Sequence, residues 1–209
     1  MSKADQYARS AAGWSDAQYA DARAYLAQRA RLVVGLGPRL VPGETVLDLA
    51  CGDGGLGSHL RRAGLLYRGV DATPEMAAEA ERRLGAGVAV GDLNEFVPAE
   101  PVAATTLFRA LYYVVDRPAF FRRVAGFTSR KLVFDLDPRR YEPATVLAEL
   151  RAAGFDRFAL RPFFVPQTRA LPRPLGAALR GVGRVGPIAR LVLRRRFTYV
   201  VAAWRDDDR

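Results

Sequence analysis

Residues 46–57 read VLDLACGDGGLG, a short apolar run ending in a glycine-rich turn, and what that turn receives decides how the chain is read. Gly52, Gly54 and Gly57 satisfy the spacing G-x-G-x-x-G. On a strand-to-helix turn this spacing accompanies dinucleotide pyrophosphates, because bare amides and the positive end of a helix dipole point at the phosphates. The acids work against that reading. Asp48 stands near the strand end and Asp53 between the first two glycines, so the local field suits a cationic ligand without phosphate better than a pyrophosphate.

Outward from the turn, the chain alternates strands and helices. TVLDLA (45–50) reads as a buried strand, and the glycine turn opens a helix through Leu60 to Ala63 that Gly64 ends. YRGVDA (67–72) is a second strand. Pro74 opens the helix PEMAAEAERRL and Gly85 stops it. GVAVGDL (87–93) and the front half of ATTLFRALYYV (104–114) follow as strands, then Asp116 and Pro118 open the helix AFFRRVAGF. KLVFDLD (131–137) is a fifth strand ended by Pro138. The helix ATVLAELRAAG and the strands FDRFALRPFFV and FTYVVAAW (197–204) complete the series. Upstream, residues 16–34 place apolar side chains at three- and four-residue steps, which predicts one amphipathic helix. The expected fold class is α/β: a doubly wound, mostly parallel seven-stranded sheet with helices on both faces, an antiparallel last strand and an N-terminal helical lid.

These residues carry a resemblance. VLDLACGDGG resembles the first motif of the Rossmann-like, class I S-adenosylmethionine-dependent methyltransferases, whose cofactor bears a sulfonium and an ammonium and no phosphate. In GVDATPEM the resemblance implies that Asp71 accepts hydrogen bonds from the ribose hydroxyls. In VGDL it implies that Asp92 receives the adenine amino group, with Leu93 beside the ring. The implied cofactor shell is Asp48, Ala50, Cys51, Gly52, Gly54, Asp71, Ala72, Met76, Asp92 and Leu93, joined by Tyr19 and Arg109. The chain departs from the family pattern where Ala50 replaces the first glycine of G-x-G-x-G. It departs again in PVAATTLF, which lacks an acid at the start of the fourth strand.

Other residues complete the expected site. Arg109, Tyr112 and Tyr113 follow the fourth strand, whose carboxyl end borders the ligand crevice of an open α/β sheet. Arg109 and Tyr112 are therefore candidates for contact with cofactor or acceptor. Asp137, just past the fifth strand, is the candidate general base or acceptor-orienting carboxylate. Tyr7, Trp14 and Tyr19 read either as core aromatics or as lid aromatics facing a sulfonium, an attraction of ~0.5–2 kcal/mol. Cys51 reads as a small packing residue and His59 as a helical surface position. The single cysteine rules out an internal disulfide, and one cysteine with one histidine leaves too few soft ligands for zinc, so no metal is expected.

The 209 residues, half of them hydrophobic, predict one domain. Its expected parts are a lid over 1–41, a cofactor-binding core over 42–138 and a C-terminal part over 139–209 with a basic helical insert about 168–195. No apolar run is long enough to span a bilayer and the first residues lack a signal-peptide core, which predicts a cytoplasmic protein. The net charge of +10 is segregated: nine arginines fall from Arg161 to Arg196, with no acid between Asp156 and Asp206. That suits an anionic acceptor or peripheral contact with the inner face of an anionic membrane. The expected reaction is methyl transfer from S-adenosyl-L-methionine to an O or N of a small-molecule acceptor of anionic or lipid-linked character. No Asn-Pro-Pro-Tyr follows the fourth strand, which argues against amino-methylation of DNA or protein glutamine. RNA methylation, a non-catalytic basic module for membrane or nucleic acid, and a nicotinamide oxidoreductase using Asp71 on a ribose are the alternatives.

Overall fold

Adjacent residues of the first strand enter opposite cores. Val46 packs with Val33, Leu60, Val133 and Val200, whereas Leu47 packs with Phe120, Phe121, Leu132 and Leu150. The period of two along a strand explains this, and strands buried on both faces read as continuous apolar runs. In the computed structural model, which describes residues 10–85, 87–163 and 198–206, β1 (Thr45–Leu49), β2 (Leu66–Asp71), β3 (Val88–Val90), β4 (Val102–Leu107), β5 (Thr128–Leu136), β6 (Arg157–Pro162) and β7 (Tyr199–Trp204) form one sheet in the order β3-β2-β1-β4-β5-β7-β6.

Six strands are parallel, and β7 runs antiparallel to both its neighbours, β5 and β6. One face carries α2 (Ala22–Gly35), α3 (Gly55–Arg62) and α4 (Pro74–Leu84), and the other α5 (Arg117–Phe127) and α6 (Pro143–Ala152). A short α1 (Trp14–Gln18) precedes them.

The single helix expected over 16–34 is two. The chain is extended at Tyr19, and Asp21 caps α2 by accepting the Ala24 N–H at 2.9 Å. An aspartate three residues before the amide it caps outweighs the apolar periodicity that ran through it. Asp116 caps α5 in the same way through Ala119 N–H at 3.0 Å. The fifth strand begins three residues earlier than its apolar run, at Thr128, whose hydroxyl meets that of Thr105 at 2.6 Å and so satisfies a buried polar pair.

The antiparallel β6–β7 pair opens toward the carboxyl end of β5: Tyr199 stands opposite both Leu136 and Pro162, and Phe163 N–H donates to Thr198 O at 2.8 Å. The expected basic insert, 168–195, lies outside the described residues, as does Tyr7. Among the described residues no helix is long and apolar enough to cross a membrane, and no cluster of His, Cys, Asp and Glu is placed to hold a metal.

Candidate functional site

A cavity of about 530 Å3 opens over the carboxyl ends of β1, β2 and β4. Its floor is the turn after β1. Ala50, at φ 56°, holds the left-handed conformation that the absent glycine would take freely, at a strain on the order of 1 kcal/mol. Gly52 follows at φ 57°, and a Cβ there would meet only Trp14 Cδ1, at 3.9 Å. Gly54 and Gly57 serve packing instead. A Cβ on Gly54 would lie 3.0 Å from the Ala80 Cβ, and one on Gly57 would lie 2.7 Å from the Tyr67 ring. Gly54, placed in the ligand shell from sequence, therefore caps α3 and does not line the cavity.

Asp48 sits below the turn, 3% exposed, accepting the Tyr67 hydroxyl at 2.9 Å and the Thr106 hydroxyl at 2.6 Å. Burial pushes its carboxyl up to about 6, with the two hydroxyl hydrogen bonds pulling the other way. Cys51 is buried beside it, and burial with the charges of Asp48 and Asp71 pushes its thiol well above the ordinary value. A thiol so held does not act as a nucleophile. Asp71, at the end of β2, is oriented by backbone donors from two turns: Gly52 N–H to Oδ2 at 2.8 Å and Thr73 N–H to Oδ1 at 2.9 Å. Ala72 and Met76 line the wall beyond it.

At the far end, Asp92 Oδ1 accepts the Asn94 N–H at 2.7 Å and its side-chain amide at 2.9 Å. Asn94 in turn donates to Tyr113 O at 3.1 Å and accepts Val115 N–H at 3.0 Å, stapling the loop after β3 to the loop after β4. Leu93, Tyr112 and Tyr113 line this end.

The roof comes from the N-terminal helices. Trp14, Ser15, Tyr19, Leu26 and Arg29 all line the cavity. Asp53, 2% exposed, fastens that roof: it accepts Ser15 Oγ at 2.5 Å, Ser15 N–H at 2.9 Å, Gly55 N–H at 3.2 Å and the Arg83 guanidinium at 3.0 Å. Tyr19 stacks on Tyr25 with centroids 4.0 Å apart, and the Arg109 guanidinium lies 5.8 Å from the Tyr19 centroid. Arg109 is left-handed at φ 55°.

Sequence reasoning missed Arg29. Its Nη2 donates to Tyr25 Oη and to Asp135 Oδ2, each at 2.9 Å, and its guanidinium lies 4.5 Å from the Phe108 centroid. Its Nε is buried with no hydrogen-bond partner among the described residues. Partners 106 positions apart leave no local signal. Asp137 is placed differently from expectation. It does not line the cavity, because β5 ends at Leu136 and both carboxylate oxygens face Arg139, at 2.9 Å to Nε and 3.0 Å to Nη2. His59 lies away from the cavity, lowered by burial and by Arg62.

Residues 46–130 match a family model described as a methyltransferase domain. No curated protein matches the sequence significantly. Among solved structures, a TehB-like S-adenosylmethionine-dependent methyltransferase from Corynebacterium glutamicum superposes with a TM-score of 0.66 at 16% identity, covering 97% of this chain and 98% of that one. The magnesium protoporphyrin IX methyltransferase of Synechocystis, with S-adenosylmethionine bound, gives 0.55 at 18% identity over 99% and 85% of the two chains. Phosphoethanolamine N-methyltransferase 2 of Haemonchus contortus gives 0.60 at 15% identity over 86% of this chain and 53% of that one. At these identities the likeness concerns the fold.

The donor set fits the cofactor: several carboxylates, a bare amide turn and aromatic walls suit a ligand that is cationic at one end and carries hydroxyls. Residues 46–130 thus carry a methyltransferase domain by family-model match, on a sheet whose fold is that of the Rossmann-like S-adenosylmethionine-dependent methyltransferases.

Proposed function

We propose that the protein is an S-adenosylmethionine-dependent methyltransferase acting on an O or N of a small acceptor that carries an anionic group. The observation that carries this reading is that two guanidinium groups, Arg29 and Arg109, line one cavity while a single carboxylate, Asp135, pairs with the first, close to where the arginine-rich connector leaves the sheet. The Arg29 guanidinium lies 5.6 Å from the centroid of Phe163, the residue at which β6 gives way to that connector. Between Phe163 and Thr198 the sequence holds eight arginines and no acid. A phosphorylated metabolite or a lipid-linked one would satisfy both features, the latter at the inner face of an anionic membrane.

S-adenosylmethionine supplies an electrophilic methyl group on a sulfonium. For the residues that hold it, Asp71 is the acceptor for ribose hydroxyls and Asp92 for the adenine amino group, with Leu93 and Met76 against the ring. Gly52 and Cys51 are assigned to the methionine part. Asp48 supplies negative charge to a cationic ligand, and Trp14 and Tyr19 cover it. Alignment of acceptor and methyl is the main task, and it contributes ~7–11 kcal/mol in well-oriented reactions. With Asp137 turned away, no carboxylate is assigned as base, which favours an acceptor whose nucleophilic atom is already deprotonated or neutral. Residues 1–41, 42–138 and 139–209 are read as lid, core and acceptor part of one domain.

Labelled S-adenosylmethionine and a cell extract fractionated into lipids, soluble metabolites and RNA test the reading. Label is expected in an anionic metabolite or lipid, with Arg109→Gln raising the KM for that acceptor. Label confined to RNA would overturn it.

A further inference from the structure

Arg29 on α2 and Arg109 in the turn after β4 both line the cavity, and one carboxylate outside it holds both. Asp135 lies on β5, two residues after Val133 and therefore on the face that packs against α2. Its Oδ2 accepts Arg29 Nη2 at 2.9 Å and its Oδ1 accepts the Arg109 backbone N–H at 2.7 Å. Asp135 itself does not line the cavity.

Three unfavourable features meet at this carboxylate. An ion pair is buried, with side chains 4% and 10% exposed, and such pairs are often no more stable than apolar residues of equal volume. A non-glycine residue is left-handed at Arg109. The Arg29 Nε is buried without a partner among the described residues. Stability alone does not select this combination, and costs of this kind persist where a site requires them.

We propose that Asp135 is a positioning residue for S-adenosylmethionine binding, fixing with one oxygen the guanidinium that α2 delivers to the cavity and with the other the left-handed turn after β4. Neutralising it frees Arg29 to swing and the turn at Arg109 to relax, so the two cavity-lining arginines lose their common reference. This rests on the cavity being the cofactor site, and a parent protein that fails to bind S-adenosylmethionine would defeat that reading before the variants are compared.

The test is a double-mutant cycle on the full chain with Asp135→Asn, Arg29→Met and the pair together. It is read by calorimetric titration with S-adenosylmethionine and by melting temperature. Each single variant should weaken binding about tenfold or more, since each disturbs a charge-assisted contact. The double variant removes the orphaned buried charge and should melt above either single. It should bind no more weakly than the weaker of them, because both changes break one linkage. In Asp135→Ala the Arg109 amide should also exchange its hydrogen faster. The proposal is overturned if the losses in affinity multiply, if affinity recovers along with melting temperature in the double variant, or if all variants bind like the parent.

Discussion

The Tyr67 phenol donates to the Asp48 carboxylate at 2.9 Å from the neighbouring strand, in a site where Asp48 is only 3% exposed. The ordinary carboxyl value is 3.8 and burial raises it to about 6, so between those two pH values the free protein holds a proton there that the unfolded chain has released. That contribution to stability is present below 3.8 and lost as pH rises through about 6, a difference on the order of 3 kcal/mol. A cationic ligand needs the ionised form. S-adenosylmethionine affinity should therefore fall as pH drops through about 6, and Asp48→Asn should flatten the profile. Titrations across that range check it; a parent profile as flat as that of the variant would refute it.

Lys131 titrates in another window with the opposite sign. Its ammonium lies in β5 and donates to Leu36 O at 2.8 Å, Pro38 O at 2.5 Å and Val34 O at 3.3 Å, closing the end of α2. Burial lowers its value from 10.5 to about 7. Its contribution to stability is full above 10.5 and lost as pH falls through about 7. Lys131→Met should remove this rise in alkaline solution and, by orphaning several carbonyls, cost about 2 kcal/mol or more. Melting curves at several pH values decide it.

Asp71→Ala removes a carboxylate that two turn amides hold in place. Loss of a charge-assisted contact costs ~1.5–3 kcal/mol, so cofactor affinity should drop about tenfold or more. Unchanged binding by calorimetry would remove Asp71 from the ribose contact.

Ser15→Ala keeps the Ser15 N–H bond to Asp53 but deletes the hydroxyl that meets the same carboxylate at 2.5 Å. The fold should lose about 1 kcal/mol. With the roof less firmly fastened, S-adenosylmethionine should dissociate several-fold faster in stopped flow. An unaltered off-rate would show that the roof does not gate release.

Gly57→Ala would place a methyl 2.7 Å from the Tyr67 ring, which cannot yield without disturbing its bond to Asp48. Overpacking of this sort costs ~1–3 kcal/mol. Both melting temperature and the pH profile of cofactor binding should change; a shift in only the first would show that Tyr67 does not govern Asp48.

Much of this was legible locally. Pro74 and Gly85 bound α4 as their backbone preferences require, and the strand-end acids Asp48, Asp71 and Asp92 all reach the cavity. What was not legible depends on partners far apart in the chain. Arg29 looks like one more charge on an amphipathic helix until Asp135 is brought beneath it. Asp135 and Asp137 differ by two positions in one run, yet the first is covered by α2 while the second is captured by Arg139 in the next turn. Gly54 and Gly57 fit a ligand-loop spacing, but their freedom from a side chain serves α4 and Tyr67.

The place of β7 in the sheet bears on how the protein is made. Its residues come after those of β6 in the chain, yet it lies between β5 and β6 and pairs with both. Until it emerges from the ribosome, the hydrogen-bonding groups along β5 from Lys131 to Leu136 have no strand to receive them. The growing chain therefore carries an open, apolar sheet edge through synthesis of everything between. A pause or truncation before Tyr199 should expose that edge to other chains, making late translation the stage most prone to aggregation.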